Sequence, residues 1–97
     1  MRITITLRTN IKPVKNEYPI VIRLTQVKTV NFIYLGYSCS KENWVPDPPR
    51  VKRKVKNYTT INKFLEQKET QIKDIIEKFK IQDKELTFDY FEKEFKK

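Results

Sequence analysis

Residues 2–8 alternate strictly, with Ile3, Ile5 and Leu7 on one side and Arg2, Thr4, Thr6 and Arg8 on the other. Period two with β-branched residues predicts a half-buried strand. Residues 10–17, with Asn10, Pro13, Asn16 and Glu17, read as a hairpin loop. A second strand follows over 18–25. Tyr18, Ile20, Ile22 and Leu24 share its apolar face, and Val21, Arg23 and Thr25 share the other. A turn around Gln26–Lys28 leads to a third strand over 29–36. Here Ile33, Leu35 and Tyr37 are set inward, in phase with Cys39, so that Phe32 and Tyr34 point outward. Three antiparallel strands with short connections form a meander, and a sheet this small needs a helix against its apolar face.

That helix is expected from about Tyr58 to Phe79. Tyr58, Ile61, Phe64, Leu65, Ile72, Ile75, Ile76 and Phe79 recur at helical spacing, and Asn57 or Thr59 stands where a cap belongs. The opposite face balances Lys against Glu, as a solvated surface does. Residues 41–56, with Trp44 followed by Pro46, Pro48 and Pro49, are expected to be irregular, Trp44 closing one end of the core. Past Lys80, Thr87 reads as the N-cap of a short helix, with Leu86 and Phe91 as its hydrophobic staple and Phe88, Phe91 and Phe95 as its stripe. The fold class is therefore α+β: a three-stranded antiparallel sheet packed against one long C-terminal helix, with a short additional helix at the C-terminus. Residues 1–82 are expected to form the folded unit. Residues 83–97 are expected to lead onward, because a stripe reaching Phe95 of 97 residues suggests that more protein follows.

Charge sharpens this picture. The chain carries 21 Lys and Arg against 12 Asp and Glu, a formal net charge of +9. Residues 1–56 hold 12 basic and three acidic side chains, while residues 57–97 hold nine of each, so the sheet half carries all the excess. Such an asymmetry favours a polyanionic partner over general solubility. Arg50, Lys52, Arg53, Lys54 and Lys56 crowd into seven residues, which suits either a solvated loop or a clamp on phosphates.

Candidate catalytic sets are missing. There is no histidine and a single cysteine, Cys39, which excludes a disulfide, the usual zinc sets and Cys-His or Ser-His-Asp chemistry. Gly36 is the only glycine, so no glycine-rich phosphate loop can form. No apolar run approaches the ~20 residues that span a bilayer, and the alternating N-terminus is no signal peptide. The expectation is a non-catalytic cytoplasmic domain with no cofactor, metal, membrane or small-molecule substrate.

The outer sheet face is expected to gather Arg2, Thr4, Thr6, Arg8, Arg23, Thr25, Lys28, Phe32 and Tyr34. Arginine can pair bidentately with guanine edges or phosphates, and threonine can reach a phosphate or a thymine methyl. The major groove admits a small sheet. Single-strand stacking on Phe32 and Tyr34, or RNA binding, is the competing mode. An ordinary exposed strand face is the bland one.

The order of segments resembles the N-terminal arm-type DNA-binding domain of tyrosine recombinases, the integrases of phages and conjugative transposons. The resemblance rests on Tyr18-Pro-Ile-Val-Ile-Arg23-Leu and on Gly36-Tyr-Ser-Cys-Ser-Lys-Glu-Asn-Trp44. Arg50-Val-Lys follows, then Asn57 opening a long helix, then Leu86-Thr-Phe-Asp-Tyr-Phe91. Leu35 departs from the threonine common in the family, and Phe32 and Tyr34 are bulkier than the usual residues there. The resemblance implies sheet insertion into the major groove at arm sites. It also implies catalytic Arg, His and Tyr residues in a later domain, and a segment 83–97 leading to an absent core-binding domain. The partners it implies are double-stranded DNA and neighbouring integrase subunits. A protein-interaction module, through the long helix and the Phe88–Phe95 stripe, is the second class of function.

Overall fold

In the computed structural model, which describes residues 1–83 and 85–96, the alternating segments form a three-stranded antiparallel sheet in the order β1 (Arg2–Leu7), β2 (Tyr18–Gln26), β3 (Thr29–Cys39). Positions 84 and 97 of the expected C-terminal segment lie outside the described residues. The register sets Ile3 against Leu24, Ile5 against Ile22 and Leu7 against Ile20. The aliphatic side chains therefore stack on one face, and Ile20, Ile22 and Leu24 are at most 2% exposed. Between β1 and β2, Lys15 and Asn16 take positive φ (52° and 64°) and Val14 and Glu17 exchange backbone hydrogen bonds. Two left-handed residues in succession make the tight turn that suits the right-handed twist of a hairpin.

The third strand runs three residues past its expected end because of an irregularity. From Pro19 to Val21, β2 advances two residues, while its partners on β3 go from Ser38 to Tyr34. Leu35, Gly36 and Tyr37 thus stand against Ile20, and Gly36 adopts φ 89°, a conformation that glycine takes without penalty. The two extra residues keep the alternation in phase. Ile33, Leu35 and Tyr37 accordingly pack against the core beside buried Cys39, as their phase predicts.

The long helix, α1 (Tyr58–Ile81), covers the aliphatic face. Ile61, Leu65, Ile72, Ile75 and Phe79 are buried, and Phe64 meets Tyr37 edge-on at 5.1 Å between ring centroids. Burying one such aliphatic side chain contributes about 1.5–3 kcal/mol. The stripe is narrower than its hydrophobicity suggests: Tyr58 and Ile76 are exposed. Tyr58 is the first helical residue, and Ile76, turned about 100° from Ile75, lines an open hollow beside Arg2–Ile5 of β1 instead of entering the core. Asn57 holds the N-cap position with φ 64°, but its side chain makes no capping bond.

Residues 41–56 are more ordered than the prolines imply. A 3-10 turn (Lys41–Asn43) leads into a hairpin of β4 (Trp44–Pro46) and β5 (Pro49–Val51). The Asp47–Pro48 peptide at its tip is cis. The prolines sit at the tip and the strand ends, where a missing N–H removes no necessary bond. Asn62 of α1 anchors the hairpin. Its Oδ1 accepts from the Val51 N–H at 2.8 Å, and its Nδ2 donates to the Val51 carbonyl at 3.0 Å. Trp44 packs against the core, as expected.

The second helix, α2 (Phe88–Phe95), begins as predicted. Thr87 Oγ1 accepts from the Tyr90 N–H at 3.3 Å, and Leu86 and Phe91 both join the core. Phe91 is fully buried, and Gln71 of α1 donates to the Phe95 carbonyl at 2.7 Å, so α2 is docked on the same core.

Candidate nucleic-acid interface

With α1 and α2 on the aliphatic side, the other face of β1–β3 is left open. Strand pairing lays its residues out in rows. Arg2, Thr25 and Val30 form one, Thr4, Arg23 and Phe32 the next, and Thr6, Val21 and Tyr34 the third. Arg8 extends the series, its N–H bonded to the Pro19 carbonyl at 2.9 Å, with Pro19 opposite Ser38. The eight outward residues expected from alternation are therefore brought onto one surface. Lys28 lies instead in the β2–β3 turn with φ 65°, at the sheet's end rather than on its face.

The floor of this surface is tighter than alternation implies. Val21, fully buried, stands outside the main core cluster between Thr6 and Tyr34. Arg2, Thr4 and Arg23 are exposed, as is Tyr34, while Phe32 is half-buried. Arg8 reaches across the sheet: its guanidinium lies over Phe32, 4.3 Å from the ring centroid, and donates to the Tyr34 hydroxyl. Its Nε donates to Asn10 Oδ1 at 3.3 Å. A hollow of about 220 Å³ opens among Arg2, Thr4, Thr6, Arg23 and Thr25, and one of about 230 Å³ beside Arg8. Asn10 and Val30 are additions to the expected set. Val30 shares the even-numbered phase of Phe32 and Tyr34, so alternation could have found it. Asn10 lies in a loop where no periodicity applies.

The basic run divides. Arg50 lies on β5 and pairs with Glu69 of α1, so its charge is already matched. Lys52, Arg53, Lys54 and Lys56 are exposed, and among the described residues no carboxylate pairs with them or with Arg2, Arg23 and Lys28. Lys54 and Lys56 line a hollow of about 410 Å³ with Gly36–Ser40. The run therefore flanks the end of the sheet where Ser38 and Arg8 stand. Glu17 is the carboxylate at that end, and it accepts from Ser38 Oγ at 2.8 Å.

Cys39 is enclosed in the core, its thiol directed to the Ser40 carbonyl at 3.3 Å. Burial, and secondarily the Glu17 carboxylate, pushes the thiol's pKa up, opposite to what a nucleophile needs. Among the described residues no group of three or more Cys, Asp or Glu is placed to hold a metal ion, and no helix is long and apolar enough to cross a membrane.

The profile of the Arm DNA-binding domain matches residues 5–92, nearly the whole chain. The chain belongs to the Arm DNA-binding domain family. This arm-type domain is the non-catalytic DNA-binding module of integrases, so the chain's partner is DNA. Neither the curated proteins nor the solved structures contain a match to it.

Proposed function

We propose that the chain binds specific duplex arm sites by laying the outer face of β1–β3 in the major groove, as the N-terminal module of a tyrosine recombinase of a mobile element. The observation that carries this reading is the row of Thr4, Arg23 and Phe32, flanked by Arg2 and Thr25 on a face that, among the described residues, no helix covers. Arg23 lies on the central strand, so a groove-inserted sheet would bring it deepest. Arg2, Arg8, Thr4, Thr6, Thr25, Phe32 and Tyr34 surround it, and Lys28 reaches the backbone from the turn. The exposed Lys52, Arg53, Lys54 and Lys56 would clamp phosphate alongside, with Arg50 as an internal brace. In this reading residues 1–82 carry the DNA-binding surface, residues 83–97, with α2 docked on the same core, lead to a core-binding domain, and the catalytic residues lie elsewhere in the parent protein.

Single-strand stacking fits the face less well, because the Phe32 ring is already under a guanidinium. A separate contact, with neighbouring integrase subunits, is favoured by Ile81 and Tyr90, apolar side chains that are 78% and 54% exposed on the helical side. Replacing both by Ser should leave duplex affinity intact while lowering cooperativity between adjacent sites.

The main reading is tested by titrating the chain against duplexes from the ends of its element and against random duplexes at several salt concentrations. It predicts tighter binding to the element's ends. It also predicts a log–log salt slope of about 0.9 per phosphate neutralised. Absence of duplex binding at low salt would contradict it.

A further inference from the structure

Arg8 differs from the other arginines of the outer face in being held. Its guanidinium lies 4.3 Å from the centroid of Phe32 and 5.7 Å from that of Tyr34. Nε donates to Asn10 Oδ1 at 3.3 Å, and Nη1 donates to the Tyr34 hydroxyl. Arg2 and Arg23 have no such ring or hydrogen-bonded partner among the described residues. We propose that Arg8 is a specificity-determining residue that reads a guanine edge, and that Phe32, Tyr34 and Asn10 are positioning residues acting through it. This rests on the reading that the outer face meets duplex DNA.

A guanidinium has five N–H groups in one plane and is always charged. Asn10 and Tyr34 take two of them, which leaves three, with both terminal nitrogens still able to donate. Guanine offers O6 and N7 side by side in the major groove, a pair that suits two parallel N–H groups of one guanidinium. Free arginine side chains lose rotamer freedom on binding, and a side chain ordered beforehand loses less. The ring beneath and the two acceptors at the side order Arg8 in the free protein. The hollow of about 230 Å³ beside it, lined also by Thr6, Asn10 and Arg23, gives a base edge room to approach.

The same geometry assigns the aromatic residues. The face of Phe32 is occupied by the cation, so a base could stack there only by displacing Arg8. The Tyr34 hydroxyl is engaged as an acceptor from Arg8. Their contribution to recognition is therefore indirect: they fix the plane in which Arg8 presents its donors.

The test uses a duplex selected by the chain from a randomised pool, with each guanine replaced in turn by 7-deazaguanine, which lacks the N7 acceptor. At one guanine the replacement should weaken the wild-type chain roughly 2- to 12-fold, the loss of the one hydrogen bond of the pair that N7 accepts. Arg8→Ala should abolish that sensitivity. Phe32→Leu and Tyr34→Phe should each shrink it, and each should weaken an Arg8→Ala chain less than it weakens the wild type. If Phe32→Leu weakens the Arg8→Ala chain as much as the wild type, the ring acts on DNA or on the fold directly and the proposal is overturned. Sensitivity that persists in Arg8→Ala and vanishes in Arg23→Ala also overturns it, while leaving the sheet reading intact. A pool that yields no enriched duplex removes the sheet reading itself.

Discussion

Arg23 and Lys54 carry positive charge in different settings, and they should fail differently. Arg23 stands on the central strand between Thr4 and Phe32, whereas Lys54 lies in the run beside Ser38. Arg23→Ala should cost about 1–3 kcal/mol on the selected duplex and relax preference at one base pair. Lys54→Ala should weaken all duplexes alike and lower the salt slope by about 0.9. Parallel titrations of both variants at two salt concentrations would separate these outcomes. Cys39 gives a prediction of another kind. Its thiol pKa is raised by burial, so the thiolate forms more readily in the unfolded chain. The stabilisation is complete below the ordinary thiol value of about 8.5 and is lost as pH rises through the raised folded value. A thiol reagent at neutral pH should therefore modify Cys39 no faster than the chain opens, as measured by comparing labelling with amide exchange. Most residue placements on the outer face were legible because alternation in β1 and β2 is strict. The neutralisation of Arg50 by Glu69 was not, because it joins residues 19 apart through a hairpin that the local sequence disguises.

That hairpin shows where element-scale reading falls short. Pro46, Pro48 and Pro49 suggest an irregular segment when counted, yet at the tip and the strand ends of the β4–β5 hairpin they occupy positions that need no N–H. What makes the hairpin persist is non-local: the Asn62 side chain satisfies both backbone groups of Val51. Asn62→Ala would leave a partly buried N–H and C=O unmatched, at a cost of about 1–3 kcal/mol each. Faster amide exchange at Val51 and Lys52, with α1 intact by circular dichroism, is the expected result. The extension of β3 through Cys39 was hidden for a related reason. Gly36 reads as a strand end, but its positive φ instead accommodates a bulge that preserves the inward phase. By contrast the start of α2 was legible, because Thr87, Leu86 and Phe91 together form a local signal.

At the scale of the molecule, division of labour explains the charge asymmetry: one side of the sheet builds the core with α1 and α2, and the other is left open. Phe91 belongs to the first task. Phe91→Ala should lower stability by about 3–5 kcal/mol in a single cooperative unfolding transition, because α2 is docked on the core shared by the sheet. A separate early transition for α2 in denaturant titration would contradict that docking. The open face belongs to the second task, and the central claim is that this face, not charge in general, binds duplex DNA. The most direct measurement compares Arg23→Glu with Lys80→Glu, an exposed position on α1, since the two substitutions change net charge equally. If the sheet face is the interface, Arg23→Glu abolishes binding to the selected duplex while Lys80→Glu lowers affinity only slightly and in a salt-sensitive way. Equal losses from the two substitutions would contradict the claim.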